Sequence, residues 1–242
     1  MGRQKMRRKV YAPLRRAGLE VIEGGVPEHA LPAFVIGAVV SCGPGTGRRD
    51  AYLDYDAPRL VERANQGWYE LASDFGLFGA DREFLLALPA HCYGAQAASR
   101  HRRHVWRRVR LLDDWDVMGA ACAIDLGPSA HGYPEYILGA GAGHPGFGML
   151  SLDSSVAVVG TTWQTGITSL AVPDPGGKEV VRAMLEGAAT REWDPREEWF
   201  MGAPRAKRAE ALAWLRHHGW TGTPQVAPEP IGWVLRHLPV ES

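Results

Sequence analysis

The residues with the most concentrated charge lie in one segment, Arg100-His-Arg-Arg-His-Val-Trp-Arg-Arg-Val-Arg110, which contains no acid. We expect a helix over residues 97–108, because Arg100, Arg103 and Arg107 then lie on one helix face at i, i+3 and i+7. Such a row can follow a phosphate backbone, and a neighbouring indole can stack on a base. The segment therefore predicts a nucleic-acid or polyanion surface made of Arg100, Arg102, Arg103, Trp106, Arg107 and Arg108.

A different interpretation of this segment is a solvated helix face whose arginines pair with Asp113, Asp114 and Asp116 downstream. Residues 1–16 form a second basic block, with seven positive side chains and no acid. A third candidate anion site is the turn Gly43-Pro-Gly-Thr-Gly47, followed by Arg48 and Arg49. It lacks the lysine of a Walker A loop, and the extended segment after it does not suit a dinucleotide fingerprint.

Cys92 is the candidate nucleophile. It follows an apolar segment, residues 84–88, that predicts a buried strand, and Gly94 comes two residues later. A strand that ends in a sharp turn carrying a reactive side chain is typical of a nucleophile elbow. The other interpretation is a small buried cysteine without a catalytic role.

Cys92-Tyr-Gly-Ala-Gln96 resembles the Cys-Tyr-Gly-x-Gln elbow of class I glutamine amidotransferases. Val39-Val-Ser-Cys-Gly-Pro-Gly45 is similar to the Gly-Gly-Pro-Gly strand end of that family, and the order of elements fits over residues 14–100. The resemblance implies that Cys92 attacks a glutamine amide. The His-Pro-Glu that completes the family's triad has no counterpart, since residues 158–168 read Val-Val-Gly-Thr-Thr-Trp-Gln-Thr-Gly-Ile-Thr.

Residues 83–88, 109–112 and 149–160 resemble the strand pattern of phospholipase-D-like domains, and residues 174–189 resemble the helix that follows it. The catalytic His-x-Lys motif of that family is absent. The resemblance therefore implies the non-catalytic form of the domain, which serves as a sensor module in bacterial transcription regulators. The two resemblances use the same residues, so they exclude each other.

The chain has 242 residues, 27 basic and 27 acidic side chains and 45% hydrophobic residues, which excludes a disordered or fibrous protein. Three cysteines without a C-x-x-C pair, and histidines without an H-x-x-x-H pair, predict no disulfide framework, no metal and no cofactor. The longest apolar run, residues 33–42, is about half of a membrane span. We therefore expect a cytoplasmic protein that does not enter a membrane.

The hydrophobic pattern predicts an α/β fold with a partly parallel sheet flanked by helices. Strands are expected at 33–42, 51–55, 84–88 and 109–112, with helices at 58–75, 174–189 and 204–218. An antiparallel meander is expected in the second half, over residues 147–172, and a small helical piece at the C-terminus. The predicted organisation is a basic arm (1–16), an α/β domain (17–190) and a Trp- and Pro-rich helical segment (191–242).

Three functions are compatible with these features. The first is a regulatory or binding protein that contacts nucleic acid or another polyanion through the arginine-rich segment. The second is a thiol enzyme that uses Cys92, and the sequence does not decide whether the protein is an enzyme. The third is a subunit that docks on a protein partner, or on itself, through the tryptophans that follow residue 190.

Overall fold

The computed structural model describes residues 11–89, 104–120, 123–124, 135–190 and 204–221. Its centre is a seven-stranded sheet with the strand order β1-β4-β3-β9-β10-β11-β2, in which all neighbouring strands are antiparallel. Two short ribbons pair β5 with β6 and β7 with β8. The strands are β1 (Leu19–Val21), β2 (Arg49–Asp54), β3 (Glu83–Pro89), β4 (His104–Leu111), β5 (Ala123–Ile124), β6 (Glu135–Tyr136), β7 (Gly139–Gly141), β8 (His144–Pro145), β9 (Phe147–Leu150), β10 (Val156–Thr162) and β11 (Gly166–Pro173).

Helices cover both faces of this sheet. The α-helices are α1 (Ala12–Arg16), α2 (Leu60–Asp74), α3 (Glu179–Thr190) and α4 (Pro204–His217). The 3-10 helices are Ala33–Ser41, Pro44–Thr46, Ala80–Arg82 and Pro175–Gly177. Helices α1 and α2 lie on one face, here called the α2 face. The long 3-10 helix, α3 and α4 lie on the opposite face, here called the α4 face.

Alternation along the strands supplies a separate core to each face, because successive strand residues point to opposite sides. In β3, Phe84 and Leu86 pack on the α2 face and Leu85 packs on the α4 face; none of the three is exposed. A strand buried on both faces is apolar at nearly every position, as β3 is. The α2 face is anchored by Trp68, which is fully buried and meets Trp115 edge-on with ring centroids 5.2 Å apart.

The predicted partly parallel sheet is wrong, because the sheet is antiparallel throughout its described strands. The strand–helix–strand unit β2-α2-β3 has both strands running in the same direction, as expected. These strands are not neighbours, however, since the meander β9-β10-β11 lies between them. The sequence pattern indicates that β2 and β3 run in the same direction, but it does not show that β9, β10 and β11 lie between them.

The buried strand predicted at residues 33–42 is also wrong, because Ala33–Ser41 is a 3-10 helix. A short, continuously apolar segment carries no periodicity that distinguishes a strand from a buried helix. The predicted strand at 84–88 is confirmed as β3, and the predicted meander is confirmed as β9, β10 and β11. The bounds of helices α2, α3 and α4 lie within five residues of the predicted bounds.

Across the described residues, no helix combines the length and the apolar character that crossing a membrane requires.

Candidate anion-binding site

The described part of the arginine-rich segment is the strand β4, so the helix predicted at 97–108 is wrong over residues 104–108. The pleat separates the side chains that a helix would have aligned. Trp106 and Arg108 point to the α4 face, whereas Arg107 and Val109 point to the α2 face. Neighbouring arginines of this strand therefore have different surroundings.

Arg108 and Arg110 share one buried carboxylate, that of Glu83 on β3. Glu83 lies opposite Arg110 in the strand register and is 5% exposed. Its Oε2 accepts a hydrogen bond from Arg108 Nε at 2.7 Å, and its Oε1 accepts one from Arg110 Nη2 at 2.8 Å. Burial raises the pKa of Glu83, but the bonds from Arg110 and Arg108 outweigh it and hold the pKa below its usual value. Arg108 is thus an internal ion-pair partner.

Trp106 is part of the core. Its side chain is 6% exposed, and its indole Nε1 donates a hydrogen bond to the carbonyl oxygen of Leu31 at 2.5 Å. A ring in this position packs against the α4-face cluster and offers no open face on which a base could stack. The indole instead fixes the end of the segment 22–32 against β4.

Arg48 and Arg49 lie far from β4. Five strand spacings separate β2 from β4 in the sheet, or about 24 Å. Arg48 donates two hydrogen bonds to Asp50, at 2.7 and 2.8 Å, and two more to the carbonyl oxygens of Val40 and Cys42. It therefore binds the C-terminal end of the 3-10 helix Ala33–Ser41.

Arg49 is more exposed than Arg48, with its side chain at 61%. Its Nη1 lies 3.4 Å from Asp74 Oδ2, and its guanidinium carbon lies 5.5 Å from the centre of the Phe75 ring. These contacts join β2 to the end of α2. The two arginines after the glycine-rich turn are thus separate from the β4 surface and already contact other side chains.

A cavity of about 480 Å³ opens at the start of β4, and we call it the β4 cavity. Its walls come from the segment 26–33, from the first residues of β4 and from the second half of α4. This volume lies in the range of small-molecule sites in proteins. The ionisable residues that line it are Glu28, His29, His104, Arg107, Glu210 and His217.

Stacked rings join the two walls of the β4 cavity. The imidazoles of His29 and His217 lie face to face, with centroids 3.3 Å apart and planes 4° apart. The His218 ring stacks on Trp214 at 3.8 Å, and its Nδ1 lies 2.8 Å from the Trp214 carbonyl oxygen. Loss of water around its ring, together with the nearby His29 and His218, lowers the pKa of His217, against the opposite effect of Glu28. The stack holds the segment 26–33 against α4.

Arg107 is exposed and borders the β4 cavity, although the pleat turns its side chain to the α2 face, away from the wall that Trp106 and α4 form. Within the part of the chain that the structure describes, no carboxylate pairs with it. It differs in this respect from Arg108, its neighbour in the chain. Among the predicted arginines that the structure describes, Arg107 is therefore the one without a carboxylate partner.

Three predicted arginines, Arg100, Arg102 and Arg103, lie outside the described residues, and so does Cys92. The structure thus brings together Arg107 and Trp106 at one cavity, places Arg108 in an ion pair beside it, and leaves Arg48 and Arg49 elsewhere. Among the residues that the structure describes, no group of three or more His, Cys, Asp or Glu side chains is arranged to hold a metal ion.

His29 and His217 line the cavity, and the sequence does not indicate either of them as a site residue. They are 188 positions apart, and neither lies in a motif. The only local signal was the pair His217-His218 at the C-terminal end of a helix, where a positive side chain complements the helix dipole. That signal explains the helix end without pointing to a cavity.

Comparison of the chain with protein-family models, with curated proteins and with solved structures gave no match.

Proposed function

We propose that the protein is a binding protein that takes an anionic partner, a nucleic acid or another polyanion, at the β4 cavity. Arg107 is the contact that the described residues supply. Arg100, Arg102 and Arg103 stay predicted contacts from the sequence, where they immediately precede β4, and they lie outside the described residues. The other basic block of the chain, residues 1–16, is a second source of contacts.

The observation that carries the proposal is the contrast between two consecutive arginines. Glu83 neutralises Arg108 through a buried ion pair. Arg107 is exposed at a cavity and has no such partner among the described residues. An exposed guanidinium presents fixed, planar donors that suit phosphate, and its charge does not depend on pH.

Three histidines beside Arg107 provide further nitrogen donors, and two carboxylates oppose them. His29, His104 and His217 line the cavity together with Glu28 and Glu210. The carboxylates reduce the positive potential, so we expect moderate affinity that depends strongly on salt. The pKa of His217 is lowered, so its protonation adds positive charge only in acidic solution, and we expect binding to strengthen as the pH falls.

Binding of fluorescein-labelled single-stranded DNA, duplex DNA and heparin, followed by anisotropy, tests the proposal. We expect Arg107→Ala to weaken binding of each probe that the wild-type protein binds by a similar factor, because a phosphate contact carries no base information. Arg205→Ala is the matched control: Arg205 is exposed on α4 and is not a cavity residue. It lies about 18 Å along the helix from His217.

No binding of any probe at low salt would overturn the proposal. Equal loss in Arg107→Ala and Arg205→Ala would also overturn it, since the effect would then be one of net charge alone. The thiol-enzyme and docking-subunit hypotheses stay predictions: they depend on Cys92 and on residues 191–242, and no contact among the described residues favours either one.

A further inference from the structure

The strand β2 is one edge of the sheet and leaves a row of backbone groups pointing outwards. It pairs with β11 alone among the described strands. The amide of Tyr55 donates to the carbonyl oxygen of Thr165 at 3.3 Å, so the odd-numbered residues of β2 face β11. The even-numbered residues Asp50, Tyr52 and Asp54 therefore direct their backbone groups away from the sheet.

Of these outward groups, only the Asp54 carbonyl has a backbone partner in the described part of the chain, the amide of Ala57. Six residues without proline or lysine form this edge, and Tyr52 is 45% exposed on it. An edge of this kind pairs readily with another strand unless its charges oppose the pairing. The charges of β2 therefore decide which partner it takes.

We propose that β2 pairs antiparallel with β2 of a second copy of the chain, so that two seven-stranded sheets form one continuous sheet. This inference is independent of the proposed anion binding. The outward backbone groups of one copy can pair only with the outward backbone groups of the other, so even-numbered residues pair with even-numbered residues. The two-fold axis between the copies then passes through a residue and not between two residues, and near the middle of β2 that residue is one of 51–53.

The charges of β2 select the axis at Ala51. An axis at Tyr52 places Asp50 opposite Asp54 of the second copy, and like charges directly opposite each other are destabilising. An axis at Ala51 places Asp50 opposite Tyr52 of the second copy. An axis at Leu53 places Asp50 opposite Asp56 of the second copy, so the axis at Ala51 is the one that keeps Asp50 away from a second carboxylate.

Helix α2 fits the same axis. Its Gly67 lies directly above Ala51, so close that a Cβ on Gly67 would be 3.0 Å from the Ala51 Cβ. The helix packs over both β2 and β11, so its axis lies between them. With a strand spacing of about 4.8 Å, the two copies of α2 would be about 10 Å apart, a normal distance for packed helices.

The facing sides of the two helices are complementary in charge. Arg63 and Glu70 are both exposed and lie on the same side of α2 as Gly67, at −4 and +3. A two-fold axis at Gly67 runs the helices antiparallel, so Arg63 of one copy faces Glu70 of the other. Among the described residues, Arg63 has no ion-pair partner within its own chain.

Sedimentation velocity over a concentration series tests this dimer. We expect the wild-type chain to dimerise, and Arg63→Glu or Glu70→Arg to raise the dimer Kd about tenfold, because each changes two symmetric contacts. The double variant R63E/E70R should restore the wild-type Kd. Residues 63 and 70 are seven residues apart, or about 10.5 Å along the helix, which is too far for the two side chains to pair within one copy. Restoration of the wild-type Kd by the double variant therefore indicates contact between the two copies.

Tyr52→Pro tests the strand pairing separately. The Tyr52 amide points away from β11, so proline removes a backbone donor to the second copy and no backbone donor within the sheet. It also removes the hydroxyl that bonds to Asp54 and Thr165, so Tyr52→Ala, which loses the same hydroxyl and keeps the amide, is the matched variant and should remain dimeric. We expect Tyr52→Pro to be a monomer with an unchanged circular dichroism spectrum, and Arg182→Glu on α3 serves as the control that should remain dimeric. A wild-type monomer at 100 μM, or a dimer that neither Tyr52→Pro nor the charge reversals weaken, would overturn the proposal.

Discussion

Arg107 and Arg108 show how one residue step decides between structure and function. The strand pleat directs Arg108 towards a buried carboxylate and Arg107 towards the opposite face, where its side chain is exposed. The positive charge of the segment was evident in the sequence. The sequence does not show which arginine forms an ion pair and which stays exposed. Glu83 is 25 residues from Arg108, and only the pairing of β3 with β4 brings the two side chains together.

The ion-pair network around Glu83 predicts a specific cost for losing its charge. Glu83→Gln keeps the side-chain shape but leaves Arg108 without its counter-ion and Arg110 with only Glu20, 3.9 Å away, so we expect the unfolding free energy to fall by about 2–3 kcal/mol at pH 7. Urea denaturation measures this. Glu62→Gln is the control, because Glu62 forms an exposed i,i+3 ion pair with Arg59. We expect this substitution to change the unfolding free energy by no more than about 0.5 kcal/mol.

The same substitution predicts a pH dependence. The folded-state pKa of Glu83 lies below its usual value of 4.5, so the stabilisation is complete above pH 4.5 and is lost as pH falls through the lowered pKa. The difference between wild type and Glu83→Gln should therefore shrink below pH 4.5. A difference that stays constant from pH 7 to pH 3 would show that the charge of Glu83 does not contribute.

At the scale of elements, the stacked histidines link the segment 26–33 to α4, and this link depends on pH. The folded-state pKa of His217 is lowered, so its contribution to stability is complete above about pH 6.5 and is lost as pH falls through the folded pKa. The charged groups around the stack are Glu28, His29, His104, Arg107, Glu210 and His218.

We expect His217→Phe, which keeps a stacking ring without a titrating nitrogen, to reduce the loss of unfolding free energy between pH 7 and pH 5.5. Urea denaturation at the two pH values measures the effect. His144→Phe is the control, because His144 packs beside Tyr55 on the α2 face and lies apart from the cavity. An equal reduction in both variants would contradict a specific role for the stack.

Elements whose hydrophobic residues recur with a clear period could be predicted from the sequence, and elements without such a period could not. Helix α2 has a one-sided apolar stripe that includes Ala64, Trp68 and Leu71, and it was predicted correctly. The 3-10 helix Ala33–Ser41 is apolar throughout, so its pattern could not indicate which face it buries. The arginines of β4 have a spacing that also suits a helix. The strand β4 forms because it pairs with β3, and a pattern of neighbouring residues cannot show that pairing.

At the scale of the molecule, the zero net charge hides a segregated distribution. Thirteen of the 27 positive side chains lie in residues 3–16 and 100–110, which contain no acid. The β4 cavity lies near one edge of the sheet, and the proposed dimer edge β2 lies at the other. Pairing of two β2 strands therefore places two cavities on the same face, about 50 Å apart, a spacing suited to a long polyanion.

Close packing between strands of the central sheet gives a test of the fold as a whole. Gly160 on β10 leaves room for the Phe147 ring, and a Cβ there would lie 2.4 Å from a ring carbon. We expect Gly160→Ala to destabilise the protein by about 1–3 kcal/mol in urea denaturation. Gly187→Ala on α3 meets nothing within 4 Å and should stabilise by about 0.5–1 kcal/mol. Equal effects would contradict this packing.

The salt dependence of polyanion binding reports whether Arg107 contacts a phosphate. For duplex DNA, the slope of log Kobs against log salt reports the number of phosphates that the protein neutralises. We predict that Arg107→Ala makes this slope shallower by about 0.9, the loss of one phosphate contact, and that Arg205→Ala leaves it unchanged. An identical slope for wild type and Arg107→Ala would contradict the assignment of Arg107 as the anion contact.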